Sequence, residues 1–210
     1  MRFLVLILAL FLAANSVPQA PGTVRVRLVT SAGAIVLALD AKRAPKTVAN
    51  FMAYVDDGRL DNTEFYRATR RKLDPRFGFI QGGIAQDARR MLPPLPLEPT
   101  SQTGIKHLDG TVSMAHGINE NAANANFSIM VGPNPGLDAH PGNNGYAAFG
   151  KVISGMDVVK RILALPTGGG RDAMKGQMIL APIKIIRAER LDGVAKPSGR
   201  VKPWLIGPPR

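Results

Sequence analysis

Short apolar runs, each ended by glycine, proline or asparagine, fill the middle of this 210-residue chain. They lack the spacing of long amphipathic helices and are typical of the strands of a sandwich or barrel. The chain also has 22 glycines and 17 prolines, which supply the many turns that such a fold needs. The runs are Glu64-Phe65-Tyr66, Gly78-Phe79-Ile80, 111–114, 127–131 and 147–153.

The segments around this middle part predict a hairpin, two helices and a last strand. Apolar residues alternate with polar or small ones at 24–28 and 35–39, on either side of a turn. Apolar residues at helical spacing then predict helices over 45–57 and 156–165, and residues 179–187 read as a strand. We therefore expect a mainly β fold, a closed eight-stranded antiparallel barrel capped by two α-helices.

The amino terminus has the pattern of a secretory signal. Arg2 precedes an uninterrupted apolar run over 3–14, which is shorter than the about 20 residues that a membrane-spanning helix needs. Cleavage after Ser16 or Ala20 would fit, and an uncleaved anchor is the alternative. We expect a signal peptide over 1–20, a barrel domain over 21–190 and a basic, poorly ordered tail over 191–210. The protein is then exported, to the periplasm or beyond, with no stable membrane insertion after cleavage.

Charge and composition exclude several other kinds of site. The net charge is +12, but the basic residues are scattered, which favours a solvated basic surface over a nucleic-acid or anionic-lipid site. The chain has no cysteine, so thiol catalysis and cysteine-based zinc sites are excluded. His107, His116 and His140 lack metal-ligand spacing and are interpreted as turn or surface residues. No metal and no cofactor is expected.

Five short strings, in order along one domain, resemble the cyclophilin peptidyl-prolyl isomerases over residues 24–189. This family consists of closed β-barrels that bind X-Pro segments and usually catalyse their cis/trans isomerisation. The resemblance thus implies the same fold that the residue pattern predicts. The strings are Ala-Pro-Lys-Thr-Val-Ala-Asn-Phe from Ala44, Phe-Tyr-Arg from Phe65, Ile-Gln-Gly-Gly from Ile80, Gly-Thr-Val-Ser-Met-Ala from Gly110, and Ala-Phe-Gly-Lys-Val from Ala148 running into Gly-Met-Asp-Val-Val from Gly155.

The chemistry of isomerisation explains the residues that the resemblance assigns to catalysis. Rotation about an X-Pro amide breaks no bond but crosses a barrier of about 20 kcal/mol. At the twisted transition state the prolyl nitrogen can accept a hydrogen bond, so a donor placed there lowers the barrier. The resemblance gives this role to Arg67 and a substrate-holding role to Gln81. The positions that it assigns to substrate binding are Phe79, Ala115, His116, Asn126, Ser128, Leu137 and Tyr146.

Several positions depart from the family pattern around the proline pocket. Aligned on Gln81, Gly78 stands where the family has a phenylalanine, and Phe79 where it has methionine. Ser128 replaces a second pocket phenylalanine, and Gly136 replaces a common tryptophan. Small residues at these positions remove apolar contact with the proline ring. We therefore expect reduced activity.

Other groove positions are retained or replaced by milder changes. Leu137 is retained, Asn126 stands for glutamine, His116 for asparagine or arginine, and Tyr146 for histidine, as in bacterial members. These changes leave backbone pairing with a peptide intact.

Two phenylalanines near the pocket bear on whether the missing rings are replaced. Phe127 alternates with Ser128 along a strand, so it faces away from the pocket and cannot replace the ring. The loop between Arg67 and Gln81 is longer than usual in the family, and Phe77 is a candidate to rebuild the apolar wall.

Two functions remain open at this stage. The first is a monomeric isomerase that acts on X-Pro bonds of exported or unfolded proteins, with no nucleic-acid partner. The second is a non-catalytic cyclophilin-like module that binds peptides or protein surfaces. Retention of Arg67 and Gln81 favours the first, and loss of large side chains at Gly78, Ser128 and Gly136 favours the second.

Overall fold

The computed structural model describes residues 22–206, in which nine strands and three α-helices occur. The predicted signal segment, residues 1–20, lies outside the described residues. Between residues 22 and 206 no helix has the length and apolar character to cross a bilayer. The strands are β1 Thr23–Thr30, β2 Gly33–Asp40, β3 Thr63–Arg70, β4 Gly78–Gly83, β5 Thr111–Met114, β6 Phe127–Val131, β7 Ala148–Ser154, β8 Thr167–Gly168 and β9 Met178–Arg190, and the helices are α1 Pro45–Asp56, α2 Thr100–Thr103 and α3 Met156–Leu163.

The strands close into an antiparallel barrel. The order of hydrogen-bonded neighbours is β1-β2-β7-β5-β6-β4-β3-β9, and β9 pairs back to β1. Closure removes the free edges that an open sheet would present. The two-residue strand β8 lies outside this ring and pairs only with β9. The predicted eight-stranded closed barrel is therefore confirmed.

Both predicted helices form and bury their apolar faces against the barrel. In α1, Val48, Phe51 and Val55 are at most 5% exposed, as their spacing predicts. The ring of Phe51 contacts that of Phe127 at 5.3 Å between centroids, which places Phe127 in the barrel core. The helix begins at Pro45 as expected and ends at Asp56, one residue before the predicted end.

Helix α3 ends at Leu163, two residues before the predicted end. The guanidinium of Arg70 explains this position, because its Nη1 donates to the carbonyls of both Leu163 and Leu165 at 2.8 Å. A cation at a helix C-terminus satisfies carbonyls that lack a partner within the helix. The one-turn helix α2 was not predicted, because four residues are too few to show a helical period.

The carboxy-terminal segment over 191–206 lies against the barrel, whereas its composition predicts a basic, poorly ordered tail over 191–210. The Asp57 carboxylate accepts from the backbone N–H and the hydroxyl of Ser198, and it also pairs with Arg59. Trp204 lies against two guanidinium groups, with its ring centroid 4.6 Å from Cζ of Arg59 and 5.3 Å from Cζ of Arg90. These contacts hold the segment against the barrel, and composition alone could not reveal them.

His107 is buried, at 1% exposure, so its interpretation as a turn or surface residue is wrong. Its ring nitrogens lie 2.7 Å from Oδ1 of Asp138 and 2.8 Å from Oγ of Ser113. A neutral imidazole fits both partners, since Nδ1–H can donate to the carboxylate while Nε2 accepts from the hydroxyl. Burial lowers the pKa of His107, with the hydrogen bond and charge of Asp138 opposing that effect.

Candidate active site

A β-bulge at Tyr66 decides which way Arg67 faces. On β3, Phe65 pairs with Gly82 and Arg67 pairs with Gln81, so Tyr66 has no partner of its own on β4. Alternation without the bulge would put Arg67 on the same face as Phe65, which is fully buried in the core. The extra residue turns Arg67 onto the outer face beside Gln81.

Four neighbouring strands then carry one polar row across the outside of the barrel. Arg67 on β3 is opposite Gln81 on β4, which is opposite Ser128 on β6, which is opposite Ser113 on β5. Residues directly opposite each other in antiparallel strands share a face. The floor of the candidate groove is therefore this row, and Ser128 lies immediately beside the Gln81 amide.

The Arg67 guanidinium is held in place by four hydrogen bonds. Nη1 donates to Oε1 of Gln81 at 2.8 Å. Nε and Nη2 both donate to Oε1 of Gln177, at 2.9 and 2.7 Å, and Nη2 also donates to the carbonyl of Ala173 at 3.2 Å. A guanidinium has five N–H donors. Within residues 22–206, one N–H is left without a partner, and it is on Nη1, the nitrogen that also donates to Gln81.

A directed chain of hydrogen bonds continues from Gln81 across the groove. Nε2 of Gln81 donates to the Tyr66 hydroxyl at 3.1 Å, and that hydroxyl lies 3.3 Å from Oδ1 of Asn126. The Asn126 amide also exchanges two hydrogen bonds of 2.8 Å with the backbone of Ala85. Asn126 is therefore committed to holding the 84–86 turn, which limits it as a direct substrate ligand.

Burial sets the electrostatics of the pair at the centre. Burial raises the pKa of Tyr66 to about 12, against the Gln81 hydrogen bond and the charge of Arg67. Burial also lowers the pKa of Arg67, with Tyr66 and Tyr146 acting in the opposite direction. An arginine stays protonated at neutral pH despite such a shift. The site thus presents a fixed, partly desolvated cation beside a neutral phenol.

The other predicted positions are joined to one another by backbone hydrogen bonds and by ring stacking. The backbone N–H of Ala115 donates to the carbonyl of Asn126 at 2.8 Å, which continues the sheet beyond β5 and β6. The His116 ring stacks on the Tyr146 ring at 4.3 Å between centroids. The N–H of Tyr146 in turn donates to the carbonyl of Leu137 at 3.0 Å. The Tyr146 phenol also acts on Arg67 electrostatically, raising its pKa against the effect of burial.

The four positions that depart from the family pattern differ in the apolar surface that they supply and in the space around them. Phe79 supplies a large ring, with Cζ of Arg67 5.3 Å from its centroid. Gly78 has φ of 150°, and a Cβ there would lie 1.9 Å from the Thr69 carbonyl oxygen, so the backbone admits only glycine. A Cβ on Gly136, by contrast, would meet nothing within 4 Å. Ser128 is 7% exposed.

The long loop does not bring Phe77 to the groove floor. Phe77 packs on Gly132, where an added Cβ would lie 2.4 Å from the ring. Gly132 follows the end of β6 and is four residues beyond Ser128. The hypothesis that Phe77 rebuilds the wall beside Ser128 is therefore wrong, because the ring lies toward the α3 end of the barrel.

Sequence reasoning missed Gln177, which accepts two hydrogen bonds from Arg67, at 2.9 and 2.7 Å. Gln177 precedes β9 and is 110 positions from Arg67. It also accepts from the Thr69 hydroxyl at 2.7 Å, so one carbonyl oxygen gathers three donor atoms. No local motif surrounds it; its position just before the last strand, which pairs with β3, is the one signal that could have pointed to it.

Comparison with known proteins identifies the family of this chain. Residues 25–190 match the family model for cyclophilin type peptidyl-prolyl cis-trans isomerases. Peptidyl-prolyl cis-trans isomerase A of Dickeya dadantii is 35% identical over 77% of this chain and 84% of its own length. The cyp18 isomerase of Streptomyces antibioticus is 38% identical over 70% of this chain and 87% of its own.

A solved structure shows the same fold. The cyclophilin type isomerase of Cryptosporidium parvum, crystallised in the presence of the dipeptide Ala-Pro, superposes with a TM-score of 0.64 at 23% identity. The match covers 80% of this chain and 99% of that one. The chain belongs to the cyclophilin family of peptidyl-prolyl cis-trans isomerases. Its function is isomerisation of X-Pro bonds.

Proposed function

We propose that this isomerase acts on X-Pro bonds of exported proteins, with Arg67 as the transition-state donor and with reduced activity. The observation that carries the assignment is the single Nη1–H of Arg67 that has no partner within residues 22–206, on a guanidinium otherwise fixed by Gln81, Gln177 and Ala173. A donor already held in place needs no reorganisation when the substrate twists.

The mechanism follows from how an amide loses its resonance. In the planar ground state the prolyl nitrogen has no available lone pair, so a hydrogen bond from the remaining Arg67 N–H to this nitrogen is weak. As the bond twists, the nitrogen becomes pyramidal and accepts that N–H. The interaction is stronger in the transition state than in either isomer, which is the condition for rate acceleration. No proton is transferred and no covalent intermediate forms.

Gln81 has two roles in this proposal. Its Oε1 orients Arg67, and its Nε2 is directed to Tyr66, so the amide is fixed in one orientation. A peptide lying along the row from Arg67 to Ser113 would meet the Gln81 side chain before the pocket at Ser128. Ala115 and His116, at the next edge of the groove, would face the residues that precede proline.

The reduced activity is proposed from the apolar side of the site. Phe79 and Leu137 are half-buried and offer apolar surface, but Ser128 and Gly136 offer almost none. Apolar contact with the proline ring is present in both ground and transition states, so its loss weakens binding more than turnover of bound substrate. We expect a high KM with a substantial kcat.

Two measurements test the proposal. Turnover of a proline-containing tetrapeptide by residues 21–210 should be detectable, with KM well above that of the Streptomyces cyp18 isomerase assayed in parallel. A periplasmic reporter that carries residues 1–20 at its amino terminus should be exported. The same reporter fused to the chain from residue 21 onward should not be exported. Absence of turnover with a folded protein would favour a peptide-binding module, and retention of the reporter in the cytoplasm would contradict export.

A further inference from the structure

We propose that a cleft at the α3 end of the barrel binds an acidic, apolar segment of the client protein, as a second site separate from the proline groove. The cleft, called here the α3 cleft, has a volume of about 680 Å³. The identity of the bound segment, a part of the client protein, rests on the proposed function. The binding of such a peptide in the α3 cleft does not. Its lining residues include Arg76, Phe77, Val131, Lys160, Leu163 and Ala164.

The floor of the α3 cleft is apolar and held in place. Val131 on β6 and Leu163 on α3 form its base but are at most 2% exposed, so the apolar surface open to a ligand comes from Phe77, Pro75 and Pro133. Phe77 packs on Gly132, and Cζ atoms of Arg71 and Arg76 lie 5.6 and 5.9 Å from its ring centroid. A cleft of this volume with an apolar floor and a few polar groups has the usual size and character of a ligand site.

The rim of the α3 cleft carries excess positive charge. Arg76 is 83% exposed at its side chain, and Lys160 is exposed on α3. Asp74 pairs with Arg76 at 2.8 Å and offsets its charge, and Asp109 lies in the lining with Oδ1 accepting the Gly132 N–H at 2.6 Å, so the excess comes from Lys160 and the loop cations Arg71 and Lys72. Lys72 lies on the same loop, exposed, next to a fully exposed Leu73. Such a rim is complementary to Asp or Glu side chains.

The position of the α3 cleft indicates a peptide as its occupant. Gly78 pairs with Val131 three residues along β4 and β6 from the Gln81–Ser128 pair. Three residues of strand span about 10 Å, and residues an odd number apart face opposite sides of a sheet, so one extended client segment would run from the Gln81–Ser128 pair over the barrel end to the α3 cleft. Leucine or phenylalanine side chains fit the apolar surface beside Phe77, and flanking carboxylates fit Lys72 and Lys160. Binding at two linked places would offset the weak proline pocket.

The test uses a probe that the proline groove should not recognise. A fluorescein-labelled, proline-free peptide, Glu-Leu-Phe-Glu-Leu with blocked ends, is titrated with the protein and followed by fluorescence anisotropy. Lys160→Glu reverses one rim charge, and Ala164→Trp fills the cleft from an exposed position on the helix end. Lys42→Glu is the matched control, since Lys42 is exposed between β2 and α1 and makes the same change in net charge.

The proposal expects the peptide to bind wild type and Arg67→Ala equally, and to bind Lys160→Glu and Ala164→Trp at least tenfold more weakly. Lys42→Glu should bind within twofold of wild type, and added salt should weaken binding. Tetrapeptide turnover should be unchanged in Lys160→Glu. No binding, equal loss in Lys42→Glu, or loss in Arg67→Ala would each overturn the α3 cleft as a site. Only a turnover that does not depend on Arg67 would overturn the catalytic proposal.

Discussion

Arg67 is oriented by amide side chains that come from distant parts of the chain. Gln81 is 14 positions away and lies in the adjacent strand, whereas Gln177 is 110 positions away and holds the opposite side of the guanidinium. The first was predicted because it lies in the string Ile-Gln-Gly-Gly, which resembles the family's motif. The second could not be, because a glutamine before a strand has no distinctive local environment.

We predict that Gln177→Ala lowers kcat about tenfold while KM changes less than twofold. Without Oε1 of Gln177, Nε and Nη2 of Arg67 lose two hydrogen bonds, and the group samples orientations that do not reach the prolyl nitrogen. Gln102→Ala is the matched control, since Gln102 is exposed on α2. A fall in melting temperature without a fall in kcat would show that Gln177 has only a structural role.

We predict that Gly136→Trp lowers KM severalfold and leaves kcat nearly unchanged. Gly136 has an ordinary φ and open space around it, so a large side chain can be added without strain. It is adjacent to Leu137, and an indole there would add apolar surface that contacts the proline ring in all states. Steady-state kinetics on the tetrapeptide measure the change. An unaltered KM in a folded variant would mean that this loop does not line the pocket.

A companion substitution, Ser128→Phe, tests the other pocket position at which an aromatic ring is missing. Ser128 is buried beside Gln81 and Ser113, so the ring must displace neighbouring atoms, and overpacking would cost about 1–3 kcal/mol of stability. We expect a lower melting temperature together with a higher kcat/KM. A stable variant in which kcat/KM is unchanged or lower would contradict the assignment of Ser128 to the proline pocket.

At the scale of elements, the sequence predicts regular segments well and irregular ones poorly. Alternation at 24–28 and the stripe through Val48, Phe51 and Val55 are periodic. The strand was placed within two residues of its ends and the helix within one. The bulge at Tyr66 is one unpaired residue, which no period reveals, although it decides that Arg67 faces outward. Barrel strands and helices could therefore be predicted, and the orientation of the donor required the strand pairing.

The buried His107 joins β5 to the turn that carries Leu137, and it predicts a pH dependence of stability. Burial lowers the folded-state pKa of His107 below its ordinary value of 6.5. As pH falls below 6.5 the unfolded chain therefore binds a proton that the folded protein excludes, and stability decreases. The stabilisation is complete above pH 6.5 and is lost progressively toward the lower folded pKa.

Urea unfolding at pH 7.5 and pH 5.5 measures this effect. We expect wild type to lose up to about 1 kcal/mol of unfolding free energy between these values from His107 alone. In His107→Gln that part of the loss should disappear, whereas His140→Gln, at an exposed position, should behave as wild type. Equal pH dependence in all three proteins would contradict a buried neutral imidazole.

At the scale of the whole molecule, the segment beyond the last strand completes the barrel's surface. The family match ends at residue 190, yet residues 191–206 contact α1 and the turn after it. The Arg59–Asp57 ion pair, at 2.7 Å and at most 1% exposed, is covered by this segment. Its basic, Pro/Gly-rich composition predicts poor order, and that composition gives no sign of the partners that the segment has on the barrel.

We predict that removal of residues 193–210 lowers the unfolding free energy by on the order of 2 kcal/mol without changing kcat/KM. The deletion removes the Ser198 hydrogen bonds to Asp57 and the Trp204 contact with Arg59, and it exposes the ion pair to water. Urea unfolding and tetrapeptide kinetics check both parts. A control, Lys202→Ala in the full chain, should be neutral; unchanged stability of the truncated protein would show that the docked segment contributes nothing.

The account depends most directly on Arg67, and its kinetics decide it. Turnover of a proline-containing tetrapeptide is measured for wild type, Arg67→Ala and Arg67→Lys, with the fold of each checked by circular dichroism. We predict that kcat/KM falls by at least about 100-fold in Arg67→Ala, mainly through kcat. Arg67→Lys should recover little, because an ammonium lacks the fork that bonds Gln81 and Gln177 together. A folded Arg67→Ala protein that retains wild-type kcat would contradict the proposed mechanism.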